Sequence, residues 1–241
     1  MALPCNGFTR VVAFIFVLMI SLPASSRSQE IVSELTFRAH QTQPNTLEPA
    51  IHFDLDWMED LDFHYGARLA FGSPWIDRGS HFLKSTWRVN GFHTELRLIQ
   101  TQVVASESAL FDIAGIIGGK LSLLSSFTLS FELGWYQRYG RLNAPALVPA
   151  FFSANYQDQD FLFKLGLGFK TNRWNVNLSL GTFDSWEIRR LNNPEIALKY
   201  TRLESEQTQF GLIARYRLIL GFGRQDNVGV GVFWRWNPPA S

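Results

Sequence analysis

Three histidines and several carboxylates are the side chains best equipped to activate water. His40, His52 and His81 are expected toward the outer rim, where connecting segments add Asp77, Asp158, Asp160, Asp184 and Glu187. A His beside carboxylates can act as a general base, and a Ser beside a His can transfer acyl groups, so a lipid or peptide hydrolase is one reading. The spacing argues against it. Each His falls on a different segment, and no Ser carries a paired signature. His64 and Asp54 are expected to pair across neighbouring segments with Arg38 nearby, as a structural cluster.

Other motifs dissolve on inspection. Gly118-Gly119-Lys120 has the end of a phosphate-binding loop, but Ala114 stands where its first Gly belongs and Leu121 follows the Lys. Asn177-Leu178-Ser179 matches a glycosylation sequon inside an alternating segment. No cofactor or metal motif emerges; a net charge of +1 says nothing about nucleic acid, but no basic run suits one and no such partner is expected.

A third chemistry is selection of charged solutes. On the polar parity of the segments described next, Glu30, Glu34, Asp54, Asp56 and Asp62 occupy the first three. The later segments are loaded with Lys84, Arg88, Arg97, Lys120, Arg138, Lys164, Lys170, Lys199, Arg215, Arg217 and Arg235. With Arg38, Arg68 and Glu132, these cations are the candidate pore lining. Segregated charge of this kind makes a transverse field, and excess Lys and Arg favours small anions. The alternative is internal salt-bridge packing that supports a wall and conducts nothing.

What must position these residues is a run of β-strands. Ile51 to Trp57 reads Ile-His-Phe-Asp-Leu-Asp-Trp, and Leu61 to Phe71 alternates again. A period of two, apolar against ionisable, marks a strand with unlike surroundings on its two faces. The pattern recurs almost to the C-terminus in about twelve segments, each near the 9 to 11 residues of a tilted membrane strand. Aromatics reach 15% and charges only 18%, against about 25% charged in an average soluble domain, so apolar surface has to be placed against something. Lipid on one face of every strand accommodates it. The expected fold is therefore all-β: a closed, antiparallel, up-and-down transmembrane β-barrel of a bacterial outer membrane, with ten strands as the alternative count.

Asn90-Gly91 between two alternating segments predicts a type I′ hairpin. It sets Val89 opposite Phe92, Arg88 opposite His93, Thr86 opposite Glu95 and Leu83 opposite Leu98. Short turns at Met58 to Asp60, Asn90-Gly91, Ser125-Ser126 and Thr171 to Arg173 are expected in the periplasm. The alternate connections, at 41–48, 73–80, 102–110, 139–159 and 184–194, are longer and expected outside. The longest contains Pro145 and Pro149.

Residues 1–28 read as a cleaved signal peptide: Arg10, the apolar run Val11 to Leu22, then Ala24, Ser26 and Ser28. That run is shorter than the roughly 20 residues of a spanning helix. Cys5, the only cysteine, leaves with it, and residues 29–241 form a single barrel domain.

The closing Val228, Val230, Val232, Trp234 and Trp236 resemble the final-strand assembly signal of small bacterial outer-membrane β-barrel proteins, and the mature chain resembles that class throughout. Asn-Pro-Pro-Ala-Ser after Trp236 departs from its usual aromatic end. The resemblance implies outer-membrane lipids and the assembly machinery as partners. It carries over no catalytic residue. A secreted soluble barrel remains the alternative architecture, but Trp57, Trp87, Trp135, Trp174, Trp234 and Trp236 near strand ends favour interfacial girdles. The function expected is a narrow passive pore; a rim hydrolase and a non-conducting structural or adhesive barrel are the alternatives.

Overall fold

In the computed structural model, residues 29–40, 45–72, 76–103, 108–143, 153–203, 208–218 and 227–236 are described. The expected signal peptide, Pro145 and Pro149, and the tail after Trp236 lie outside them, as do the side chains of His40, Trp57 and Asp77.

Twelve strands follow the alternation. The first six are β1 (Gln29–His40), β2 (Thr46–Met58), β3 (Leu61–Phe71), β4 (Ile76–Val89), β5 (Phe92–Val103) and β6 (Ser108–Leu124). The second six are β7 (Phe127–Asn143), β8 (Ser153–Lys170), β9 (Trp174–Gly181), β10 (Glu195–Leu203), β11 (Thr208–Arg217) and β12 (Asn227–Trp236). Each pairs antiparallel with its neighbour in sequence, and β1 with β12, so the sheet has no open edge and the barrel is closed. That is the expected up-and-down architecture with the expected strand count.

The predicted hairpin register holds at every position. Val89 lies opposite Phe92, Arg88 opposite His93, Thr86 opposite Glu95 and Leu83 opposite Leu98. Asn90 and Gly91 have φ of 49° and 81°, the left-handed pair a type I′ turn requires.

The two faces differ as the parity demands. Phe37, Ile117, Leu133, Phe161, Leu165, Val230 and Trp234 point outward and are exposed, whereas Arg38, Asp62, Arg68, Arg97, Asp112 and Arg215 point inward and are buried. A soluble barrel would show the reverse, so the secreted alternative is excluded. The apolar outer wall is the surface that meets lipid, and the barrel spans a membrane.

The connections depart from expectation. Thr46 to Glu48, Ile76 to Ser80, Gln102 with Val103, Ser108 to Leu110, Tyr139 to Asn143 and Ser153 to Gln159 belong to strands. The ladder continues beyond the apolar band, with Tyr139 opposite Gln157 and Asn143 opposite Ser153. Outside hydrocarbon both faces are polar, so the alternation fades while the hydrogen bonds do not. The extensions make the wall uneven. Strands β6, β7 and β8 have 17, 17 and 18 residues, whereas β9 and β10 have 8 and 9. The low side of the barrel is where the chain turns inward.

Leu165 faces out and its neighbour Lys164 faces in, 3.7 Å from Glu132. Leu165→Arg should cost about 2–4 kcal/mol of unfolding free energy in lipid vesicles, while Lys164→Arg should cost much less. Equal losses in denaturant titrations would contradict the assigned faces.

Candidate functional site

The connection between β9 and β10, residues 182–194, enters the lumen. Strand β9 ends at Gly181, where a Cβ would stand 2.7 Å from the Phe163 carbonyl oxygen and 2.9 Å from Lys164 Cα; only a glycine lets the chain pass that close. Thr182 then donates its N–H to the Phe163 carbonyl at 2.9 Å, and Phe183 and Ile188 form an antiparallel bridge. The tip between them is built by Asp184, whose carboxylate accepts from the N–H groups of Trp186 at 2.7 Å and Glu187 at 2.9 Å. An Asx turn of this kind satisfies backbone donors that the lumen would otherwise strand. The result is a small hairpin plug.

Its apolar side chains meet one wall. Phe82, Ile99, Ala114, Ile116, Tyr136 and Leu162, all inward on β4 to β8, form one buried cluster with Phe183, Trp186 and Ile188 of the hairpin. Trp186 stands edge-on to Phe82 with centroids 4.8 Å apart, and the guanidinium of Arg68 lies 5.3 Å from its ring. Sequence reasoning missed this cluster. Its signal was visible as doublets that put one apolar residue on each face: Phe82-Leu83, Leu98-Ile99, Ile116-Ile117 and Phe161-Leu162.

Its charged side chains meet arginines of β1, β3, β4 and β11. Glu187 lies 3.2 Å from Arg38, 3.2 Å from Arg68, 3.7 Å from Arg78 and 2.5 Å from Arg217. Glu48, fully buried behind it, is shared by Arg38, Arg68 and Arg78 at 2.9, 3.2 and 3.2 Å. Asp184 takes Arg189 at 2.8 Å and Arg215 at 3.8 Å. Arg189 also reaches Glu195 at 2.9 Å, and Arg215 reaches Glu34 at 2.9 Å. Arg97 and Arg138 donate to the backbone carbonyls of Asp184 and Ile188. Burial alone would raise both hairpin carboxyls. For Asp184 the Arg189 and Arg215 charges outweigh burial, and for Glu187 those of Arg38, Arg217 and Arg68 do, so both titrate below the usual carboxylate range.

The stem is tied to the tall wall. Arg190 binds Asp158 at 2.9 Å, and the Leu191 N–H donates to Asp160 at 3.2 Å. Asp158, Asp160, Asp184 and Glu187 therefore hold the plug and do not gather around a histidine. His52 faces the lumen with its ring 6.2 Å from Trp186, while His81 is on the outer face, where its Nδ1 lies 3.1 Å from the Tyr65 hydroxyl. The two therefore stand on opposite faces of the wall, at neighbouring register levels, and cannot share one site. His64 and Asp54 do pair, at 2.6 Å, whereas Arg38 is engaged by Glu48 and Glu187.

Of the candidate lining residues, Arg38, Arg68, Arg97, Arg138, Arg215 and Arg217 converge on the hairpin. Lys84, Glu132, Lys164, Lys199 and Arg235 face the interior elsewhere: Lys84 lies 3.8 Å from Glu95, Lys199 is over the Phe233 ring, and Arg235 pairs with Glu30. Arg88 pairs with Asp62 near the short turns, and Lys120 and Lys170 are exposed at that end. The expected segregation of charge is corrected. Interior carboxylates are not confined to the first three strands, since Glu95, Asp112 and Glu195 neutralise Arg97, Arg138 and Arg189 locally.

No family model matches the chain, and no curated protein matches it. Solved structures do. An outer-membrane channel from Pseudomonas putida F1 superposes with a TM-score of 0.62 at 8% identity, covering 90% of this chain and 97% of that one. The fold is that of small outer-membrane β-barrels. The translocator domain of the autotransporter NalP from Neisseria meningitidis gives 0.55 at 9% identity, covering 95% and 97%. The KdgM porin in complex with disordered oligogalacturonate gives 0.52 at 6% identity, covering 84% and 98%. Channels and a translocator share the architecture, so the activity has to be read from the lumen.

Two outcomes follow from the docking. Trp186→Ala should cost about 3–5 kcal/mol, the range for truncating a buried Trp, and should raise hydrogen exchange across 182–194 without unfolding the barrel. The lowered carboxyls contribute fully at and above pH 5 and lose that contribution as pH falls through their depressed values. The hairpin should stay docked from neutral pH down through the ordinary carboxylate range and release only in more acidic solution. The fluorescence difference between the wild type and Trp186→Phe reads the release; a transition above pH 5 would contradict it.

Proposed function

We propose that this protein is a narrow passive channel of the bacterial outer membrane, closed at rest by the 182–194 hairpin and admitting small anionic solutes when the hairpin moves. The observation that carries this reading is the Glu187 carboxylate seated among four arginines. Once it leaves, Arg38, Arg68 and Arg78 keep Glu48 between them, Arg217 loses its Glu187 partner, and the constriction becomes positive. Twelve strands fall between the eight that side chains fill and the sixteen that leave an open channel, so one inserted hairpin is enough to close the bore. That a barrel of this fold, the KdgM porin, was solved with an oligogalacturonate supports an anionic solute.

In this reading the N-terminal 28 residues export the chain, assembly machinery inserts it, and outer-membrane lipids surround its apolar wall. A hydrolase is disfavoured by the placement of His52 and His81 on opposite faces of the wall.

Planar-bilayer recording tests the proposal. The wild type should conduct weakly, and Trp186→Gly with Glu187→Gln should raise conductance several-fold with an anion-favouring reversal potential. Adding Arg38→Gln and Arg217→Gln should abolish that preference, and salt near 1 M, where the Debye length is about 3 Å, should weaken it. A folded, heat-modifiable Trp186→Gly/Glu187→Gln barrel that never conducts would refute the channel.

A further inference from the structure

The hairpin tip is itself a chemical description of what the lumen binds. Trp186 and Glu187 are adjacent in the chain, yet one seats an aromatic ring in an apolar slot and the other a carboxylate in a guanidinium cluster. The slot is shaped for a ring. Phe82 packs edge-on at 4.8 Å, His52 lies at 6.2 Å, and Arg68 covers the indole at 5.3 Å. Gly66 forms its floor: a Cβ there would stand 2.8 Å from Trp186 Cη2 and would also meet Phe82. The neighbouring cluster has donors to spare. Arg38 Nη2, Arg78 Nε, Arg189 Nη1 and Arg217 Nε are buried without a protein acceptor, and Arg38 is 3% exposed.

On the channel reading above, we infer that the solute is an aromatic carboxylate, which competes with Trp186 and Glu187 for this slot and thereby displaces the plug. Charge alone would not require the apolar wall. When the hairpin leaves, Phe82, Ile99, Ile116, Tyr136 and Leu162 would otherwise face water, and an apolar solute body covers the surface that the Trp186 ring covers now. The carboxylate takes the arginines that Glu187 releases, as charge-assisted and bidentate pairs. A hydrophilic acidic sugar satisfies the second requirement and not the first. A neutral aromatic satisfies only the first. Arg68 serves both, because it touches Glu48 and Glu187 while lying over the indole ring.

The test uses three probes of similar size on the full-length protein: indole-3-acetate, gluconate and neutral indole. With purified Trp186→Gly/Glu187→Gln protein in detergent, calorimetry should give indole-3-acetate at least about tenfold tighter than either of the others. Phe82→Ala should remove about tenfold from indole-3-acetate affinity and leave gluconate unchanged, and Gly66→Leu, which fills the slot, should do the same if the first variant fails to fold. Arg68→Gln should weaken both anions. In wild-type bilayers indole-3-acetate should raise the open fraction, and gluconate at equal concentration should not. Equal affinity for gluconate would reduce the site to a charge cluster and overturn the inference, as would equal affinity for indole or the absence of binding in a variant that conducts. Binding by calorimetry in a barrel that never conducts would instead uphold the site and defeat the channel.

Discussion

Every backbone N–H and C=O within hydrocarbon must find its partner in the protein, because lipid offers none. That constraint forces β1 onto β12, where ten consecutive residue pairs from Ile31–Trp236 to His40–Asn227 close the sheet. Closure in turn gives each strand one face toward lipid and one toward the lumen. The charged half of each alternating segment then has nowhere to go but inward. An interior dense in Arg, Lys, Asp and Glu is thus a consequence of closing a wall whose exterior must be apolar.

Such an interior has to be filled or wetted, and this protein fills much of it from the low side. Strand β9 pairs with β8 only from Lys164 to Lys170, leaving the upper part of β8 paired with β7 alone. The chain leaves the wall at Thr182 and descends. Its Asx turn makes it short, and its alternation makes it two-sided. The hairpin repeats on a smaller scale the logic of the strands around it, with apolar side chains to the tall wall and ionisable ones to the arginines.

On the proposed channel reading, the balance of forces makes this plug releasable. Its apolar contacts are few beside those of a domain core, and its ion pairs survive only while Asp184 and Glu187 stay ionised inside a ring of guanidiniums. Removing one partner of a buried pair leaves the other uncompensated, so the docked state is stable against small perturbation and vulnerable to a competing carboxylate. On that reading, the side chains that close the lumen also define what reopens it.

How much of this was legible in the residues can be read from particular elements. Local physics determined the strands: the period of two, the Asn90-Gly91 turn with its register, the inward parity of Arg38, Arg97 and Arg215, and the Asp54–His64 pair are all statements about near neighbours, and all hold. Alternation makes the connections look longer than they are, because it reports unlike solvents and falls silent where a paired strand rises into water on both faces. The plug was out of reach for a different reason. Phe183 to Arg189 has the pattern of any short strand, and nothing in it states that it points into the lumen. That direction depends on β9 ending beside Phe163, on the apolar patch that β4 to β8 assemble from residues far apart in the chain, and on Glu48 and four arginines brought together by closure. The sequence by itself determined which face each side chain takes, because that follows from a two-residue period; only the tertiary structure decided what meets across the lumen, because those meetings exist only once the barrel has closed.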